Sequence, residues 1–157
     1  SIDPTWAYGV ARSESLFMPD VASHAGAIGL IQLMPATGKE TARKNNIRYD
    51  NRYSLMDPAK NIALGTSYLA EMLARFDNNR VLATAAYNAG PHRVTRWQPD
   101  HDGMPATVWA ESIPFKETRE YVRRVLAAET VFAWRMNGNA ARLSDSMPPV
   151  PRRRSGT

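Results

Sequence analysis

Apolar residues in this chain recur at the spacing of an α-helix, and no segment shows the two-residue alternation of a half-buried strand. Asp57 before Pro58 is typical of a capped helix start, and an apolar stripe with steps of three, four and seven residues follows it. The stripe, which we predict to be core, consists of Ile62, Leu69, Met72, Leu73 and Phe76. The sequence therefore predicts a compact all-α domain with little or no β-sheet.

The same signals predict the other helices. Asp3 before Pro4 indicates a helix with Glu14 in its last turn. Residues 16–29 lose the helical period and contain two glycines and a proline, so we expect an irregular loop, a common place for functional residues. Further elements are predicted at residues 36–44, 80–89 with a stop at Gly90-Pro91, a short turn at 107–112, and 115–136 with Gly138 as its stop.

The chain has the length and composition of one globular domain. It contains 157 residues, 43% of them hydrophobic and 22% charged. Three of its five net positive charges are Arg152, Arg153 and Arg154, which follow a proline-rich stretch that cannot fold around a target. We predict one folded domain over residues 1–138 and a mobile tail over 139–157. Binding of nucleic acid by this tail would predict salt-dependent affinity, and we expect no such partner.

Composition gives no sign of a metal, a cofactor or a membrane span. Without cysteine the chain has no disulfide or thiolate site, and His24, His92 and His101 lack the paired spacing of a helical metal site. No segment approaches the roughly 18 apolar residues of a spanning helix. We therefore predict no metal and no cofactor, and we expect that this chain encodes neither an export signal nor a membrane anchor.

Glu14 is the candidate for acid-base chemistry. It ends a predicted helix at the start of the irregular loop, close in sequence to an apolar set of Leu16, Phe17, Met18, Ile31 and Met34. Burial among such residues raises the pKa of a carboxyl group, and a group protonated near neutral pH can act as a general acid. The alternative is a surface glutamate, the ordinary place for this residue type.

Four motifs occur in a fixed order along the chain. They are Glu-Ser at 14–15, Gly-Leu-Ile-Gln-Leu-Met-Pro at 29–35, Ala-Tyr-Asn-Ala-Gly-Pro at 86–91, and Glu-Ser-Ile-Pro-Phe at 111–115 followed by Glu-Thr-Arg and Tyr-Val up to residue 122. In this order they resemble the catalytic domain of the soluble lytic transglycosylase family, whose fold is similar to goose-type lysozyme. The resemblance extends over about residues 2–136.

This resemblance implies roles for individual residues. Glu14 matches the acid/base, Ser23 matches the serine that contacts the N-acetyl region of the substrate, and Tyr87 matches the tyrosine near the reacting sugar. The other matching cleft positions are Gln32, Met34, Asn88, Glu111 and Tyr121.

Several of these residues have an alternative structural role. Ser23 can cap its loop, and Gln32 can satisfy backbone groups, which is the commoner task of a partly buried amide. Met34 can fill the core. Glu111 can form an ion pair within the fold.

The resemblance also implies the reaction. Members of the family cleave the β-1,4 bond between N-acetylmuramic acid and N-acetylglucosamine without water and leave a 1,6-anhydro end. A single glutamate acts as acid and then as base, and the substrate N-acetyl group replaces the second carboxyl group of ordinary glycosidases. We therefore expect peptidoglycan glycan strands as the partner, the bacterial periplasm as the location, and a monomer.

Two other functions remain open from the residues. A hydrolytic muramidase would use Glu111 or Asp102 to activate water and would release a reducing sugar. A wall-binding module would keep the cleft without turnover. The mass of the product distinguishes the three functions.

Overall fold

The computed structural model describes residues 2–138 and 142–154, the side chains at 145 and 146 excepted. Within these ranges the α-helices are α1 Pro4–Ser15, α2 Pro35–Lys44, α3 Pro58–Arg75, α4 Arg80–Ala89, α5 Pro91–Trp97, α6 Ala106–Ser112 and α7 Lys116–Asn137, with short 3-10 helices at Arg52–Met56 and Leu143–Ser146. The described residues form only isolated β-bridges, and the predicted all-α fold is confirmed.

The predicted helix boundaries follow from local capping. The Asp3 carboxylate accepts a hydrogen bond from the Thr5 N–H at 2.9 Å, and the Asp57 carboxylate accepts one from the Lys60 N–H at 3.0 Å. Each cap precedes a proline in the first turn, where the missing N–H costs nothing. Gly138 ends α7 in the left-handed conformation, as the sequence predicts.

Helices α1 and α7 pack closely and run in opposite directions. A Cβ at Gly9 would lie 2.7 Å from the Val125 carbonyl oxygen, so the glycine permits this close approach. The fully buried Trp6 side chain fixes α1 to α4, because its Nε1 donates to Thr84 Oγ1 at 3.0 Å. These contacts fix α1 against both α4 and α7.

The predicted apolar stripe of α3 is correct except for one residue. Leu69, Met72 and Phe76 are buried, and Leu73 packs against them. Ile62 is 45% exposed, so its prediction as a core residue is wrong. Near the start of α3 the face that carries Leu64 is covered instead, because Leu64 packs in a cluster with Ile28 and Leu55. The step of seven residues between Ile62 and Leu69 does not show which face of the helix the neighbouring segments cover.

Proline at position 91 has a second role that the sequence analysis did not predict. Gly90-Pro91 ends α4, as expected, but Pro91 also occupies the first turn of the additional helix α5. Proline is favoured there because its fixed φ suits the first helical turn. The chain can therefore turn sharply after α4 without leaving helical structure.

The C-terminal segment lies against the domain. Val150 is fully buried, and its N–H donates to the Met104 carbonyl oxygen at 2.8 Å. Hydrogen bonds also hold this segment, from the Asn79 side chain to the Pro149 carbonyl oxygen at 3.1 Å and from the Arg152 N–H to the Asp102 carboxylate at 2.9 Å. Part of the tail predicted over residues 139–157 lies outside the described residues, and its mobility stays a prediction.

Each helix that the structure describes is too short or too polar to cross a bilayer.

Candidate active site

The Glu14 carboxyl group lies in the last turn of α1, between α4 and α7. Burial raises its pKa from the ordinary value of 4.5 to about 7, although the Tyr121 hydroxyl and the positive charge of Arg124 act in the opposite direction. The negative charge of Glu117 raises the pKa slightly further. A carboxyl group with this pKa is present in both protonation states near neutral pH, which suits acid-base catalysis.

Two tyrosine hydroxyls face Glu14. Tyr121 on α7 is almost completely buried. Its hydroxyl makes no hydrogen bond of regular geometry among the described residues, but it lies close enough to Glu14 to interact with the carboxyl group. Tyr87 on α4 donates its hydroxyl to the Ile31 carbonyl oxygen at 2.8 Å, and its ring packs against Tyr68. Burial and the charge of Glu14 hold the pKa of both tyrosines well above the usual range, so both hydroxyls keep their protons.

The irregular loop is tied to α1 directly beside Glu14. The buried Ser15 hydroxyl donates to the Leu30 carbonyl oxygen at 2.7 Å. This bond places the loop over the end of the helix that carries the acid. Ser15 belongs to the first motif, but the sequence did not indicate its structural role.

Within the loop, Gln32 and Ser23 make the contacts expected from their alternative roles. The Gln32 amide nitrogen donates to the carbonyl oxygens of Val21 and Gly29 at 2.9 and 2.8 Å, which uses both its protons. The Ser23 hydroxyl accepts from the Ala27 N–H at 3.0 Å. The side-chain oxygen of Gln32 and the hydroxyl proton of Ser23 have no partner among the described residues, and both remain candidate substrate contacts.

The remaining predicted cleft residues have different surroundings in the structure. Met34 is 43% exposed at the start of α2, so it is not core filler. Asn88 lies beside Tyr87, and its side-chain oxygen accepts from the Thr118 hydroxyl at 2.7 Å. Glu111 is exposed and forms an ion pair with Arg123, which is the alternative role considered for it.

Asn61 is a buried polar residue near the site that the sequence analysis missed. Its side chain is fully buried, its oxygen accepts from the Ile31 N–H at 2.9 Å, and its nitrogen donates to the carbonyl oxygens of Ile28 and Leu55. A signal was present: Asn61 lies three residues before Leu64 on the buried face of α3. A polar residue on an apolar helix face requires partners, and here they are backbone groups of the loop.

An apolar groove of about 610 Å³ adjoins the loop at Leu30 and Ile31. Its lining includes Ile2, Tyr8, Phe17 and Ile62, but not Glu14, and Tyr8 is its only titratable residue. The chemistry therefore belongs to the Glu14 region rather than to this groove. Among the described residues no group of three or more His, Cys, Asp and Glu side chains is placed to hold a metal ion.

Comparison with known families gives two matches. Residues 1–107 match the family described as transglycosylase SLT domain, and residues 112–140 match the soluble lytic transglycosylase helical domain.

Curated relatives are similar over most of the chain. It is 44% identical over 147 residues to a soluble lytic murein transglycosylase of Salmonella typhimurium, covering 92% of this chain and 23% of the relative. It is 42% identical over 145 residues to the protein of the same name in Escherichia coli K12, covering 91% and 22%. The chain thus spans less than a quarter of the length of these relatives.

Solved structures are similar as well. The structure of an inactive Glu-to-Gln variant of lytic transglycosylase Slt from Pseudomonas aeruginosa has a TM-score of 0.85 at 43% identity, covering 91% of this chain and 23% of that one. The 70 kDa soluble lytic transglycosylase of Escherichia coli has a TM-score of 0.83 at 39% identity, covering 94% and 24%.

Proposed function

We propose that this chain, which belongs to the transglycosylase SLT domain family, is a lytic transglycosylase domain that cleaves peptidoglycan with Glu14 as its only essential carboxyl group. The bond cleaved is the β-1,4 link between N-acetylmuramic acid and N-acetylglucosamine, and the product carries a 1,6-anhydro ring. Glycan strands of peptidoglycan are the partner, and the bacterial periplasm is the location. Relatives named soluble lytic murein transglycosylase support this proposal.

The protonation of Glu14 carries the proposal. Its pKa of about 7 leaves a large fraction of the group protonated at neutral pH, as a general acid requires. No cation forms a hydrogen bond with its carboxyl group in the described part of the chain, so its proton is available to a substrate. The inactive Glu-to-Gln variant of the Pseudomonas aeruginosa relative supports an essential glutamate here as well.

In the first step Glu14 gives its proton to the glycosidic oxygen, and the bond from that oxygen to C1 of the muramic sugar breaks. The N-acetyl carbonyl oxygen of the same sugar stabilises the cation at C1. The Ser23 hydroxyl proton and the Tyr87 hydroxyl hold this N-acetyl group in place, since orientation contributes a large part of such rates.

In the second step the Glu14 carboxylate accepts the proton of the sugar 6-hydroxyl. The 6-oxygen then bonds to C1 and closes the 1,6-anhydro ring. Glu14 is protonated again, and no water is consumed.

The surrounding carboxylates favour this route over hydrolysis. A second carboxyl group is needed when water attacks, unless the substrate supplies the assisting group. Glu111 is paired with Arg123, and Asp102 is paired with Arg152. Glu117, whose charge acts on Glu14, is exposed to solvent.

The mass of the product tests the reaction. Purified peptidoglycan is digested with the chain, and we expect muropeptides that are one water lighter than hydrolysis products. Glu111→Gln and Glu117→Gln serve as matched variants and should give the same product. Only reducing ends would establish hydrolysis, and sedimentation with peptidoglycan without any product would establish a binding module.

A further inference from the structure

The Asn61 side chain connects α3 to the loop beside the acid. All three of its hydrogen bonds with the loop and the preceding 3-10 helix are close to 2.9 Å, and they use its oxygen and both protons of its nitrogen. The side chain is fully buried, so no solvent competes for these bonds in the folded parent protein. Losing them would leave the buried Ile31 N–H and Leu55 carbonyl oxygen without these partners, at a substantial cost, whereas the Ile28 carbonyl oxygen would keep the Leu33 N–H at 3.0 Å.

The loop approaches this amide as closely as a backbone can. Gly29 has a φ of +83°, and a Cβ at this position would overlap the Asn61 amide and the Leu55 carbonyl oxygen. Only glycine fits both the conformation and the space. The path of residues 28–31 is therefore matched to the position of the Asn61 amide.

The backbone of Ile31 links the Asn61 amide to the active site through two hydrogen bonds. Its N–H donates to Asn61 at 2.9 Å, and its carbonyl oxygen accepts the Tyr87 hydroxyl at 2.8 Å. The Ile31 side chain is held against Gly65 of α3, where an added Cβ would collide with it. A shift of Ile31 would move the acceptor of the Tyr87 hydroxyl, which faces Glu14.

We propose that Asn61 is a positioning residue of the active site, which fixes the Tyr87 hydroxyl and the wall of the Glu14 pocket through the backbone of residues 28–31. Its consequence for turnover rests on the proposed function, whereas its effect on Glu14 does not. The groups that face Glu14 are the Tyr87 hydroxyl from α4, and Tyr121, Arg124 and Glu117 from α7. Asn61 touches none of the three on α7, so it acts through the loop and Tyr87.

The test compares Asn61→Ala with Asn79→Ala. Asn79 is also a buried asparagine; it caps α4 through the Leu82 N–H at 3.2 Å and donates to the Pro149 carbonyl oxygen at 3.1 Å. Both variants lose buried hydrogen bonds and should lower the melting temperature. The pKa of Glu14 is then followed in each folded variant by carbon NMR of its carboxyl group, alongside the pH profile of product release.

We expect Asn61→Ala to admit water to the Glu14 pocket, which lowers the pKa of Glu14 and moves the basic limb of the profile to lower pH. Turnover should fall about tenfold or more, the scale expected for a small misplacement of catalytic groups. Asn79→Ala should leave the Glu14 pKa unchanged and turnover within about twofold, because its bonds lie at the far end of α4.

Asn61→Ser extends the test to a neutral variant whose single hydroxyl can keep only part of the three bonds. If Asn61→Ala does not fold, a Glu14 pKa below that of the parent is expected in Asn61→Ser. An unchanged Glu14 pKa in the folded Asn61 variants, with turnover equal to that of Asn79→Ala, would overturn the proposal. A parent that forms no anhydro product would instead contradict the proposed function, while a pKa shift confined to the Asn61 variants would still support the positioning role.

Discussion

Glu129 and Glu14 lie at opposite ends of the interface between α1 and α7, and of the two only Glu129 has a cation as a hydrogen-bond partner in the described residues. The Arg80 guanidinium binds Glu129, approaches Asp3 at 3.4 Å and lies over the Trp6 ring. Glu14 faces two tyrosine hydroxyls instead. Burial raises the pKa of both glutamates, but Arg80 opposes this at Glu129 directly.

The same pair of helices holds two buried glutamates, one suited to stabilising the fold and one suited to exchanging a proton. A buried carboxylate with a hydrogen-bonded arginine is held in place, and removal of either partner leaves a buried charge uncompensated. A buried carboxyl group beside neutral hydroxyls keeps a proton that it can give away. The first arrangement fixes α1 and α4 to α7, and the second gives the end of α1 the protonation that the proposed function requires.

Replacement of Glu14 by glutamine should have the largest effect. Because Glu14→Gln removes the proton donor and acceptor, we expect product release about 10²- to 10⁴-fold slower, the usual contribution of general acid-base catalysis. The measurement is the rate of anhydro-muropeptide formation by mass spectrometry, with circular dichroism as a control for folding. Undiminished release would show that Glu14 is not the acid.

Glu14 should also make the stability of the protein depend on pH. The folded protein holds the Glu14 proton more tightly than the unfolded chain, because the pKa rises from 4.5 to about 7. The contribution of Glu14 to the free energy of unfolding is therefore fully present below pH 4.5 and should fall by about 3 kcal/mol as the pH rises through 7.

Urea unfolding of the parent and of Glu14→Gln between pH 4 and 8 measures this contribution. The glutamine variant should lack the decrease that comes from residue 14. Equal slopes in the two proteins would mean that Glu14 is not buried in its charged form.

Replacement of Glu129 by glutamine should give the opposite result to that at Glu14. We expect Glu129→Gln to lower the free energy of unfolding by about 2 kcal/mol, less than a fully buried pair because Arg80 is partly exposed and keeps Asp3 as a partner. Turnover below the unfolding transition should stay within about twofold of the parent. A large loss of turnover without loss of stability would contradict the assignment of a structural role to Glu129.

The smallest effect is expected for the hydroxyl of Tyr121. This group stabilises the charged form of Glu14, so Tyr121→Phe should raise the pKa of Glu14 and move the basic limb of the pH profile to higher pH. Turnover at the optimum should fall about 2- to 10-fold, the value of one hydrogen bond. Tyr49→Phe, which removes a hydroxyl bonded to the Pro35 carbonyl oxygen, is the control and should leave the profile unchanged.

Local sequence signals predicted most of the helices because their causes are local. The Asp-Pro pairs at 3–4 and 57–58 cap helices within three residues, and Gly138 ends α7 by its own left-handed conformation. The resemblance inferred from the four motifs is confirmed by the family match over residues 1–107. Helix α5 and the exposure of Ile62 were missed, since they depend on which neighbours cover a segment.

The candidate site was predictable only as a set of residue types. Motif order singled out Glu14, Tyr87 and Tyr121, and the structure brings these three together. It places Glu111 in an ion pair with Arg123, a contact between α6 and α7 that no local pattern reveals. The substrate contacts of Ser23, Gln32, Met34 and Asn88 remain predictions.

The sequence by itself determined where most of the helices begin and end, the family, and the candidate for the acid, because each of these is written in short, contiguous patterns. Only the tertiary structure decided the protonation of Glu14 and the task of Asn61. The pKa of a carboxyl group depends on how much water and charge surround it, and a buried amide takes its role from the backbone groups that reach it. Those neighbours come from α3, α4, α7 and the loop, and folding alone brings them together.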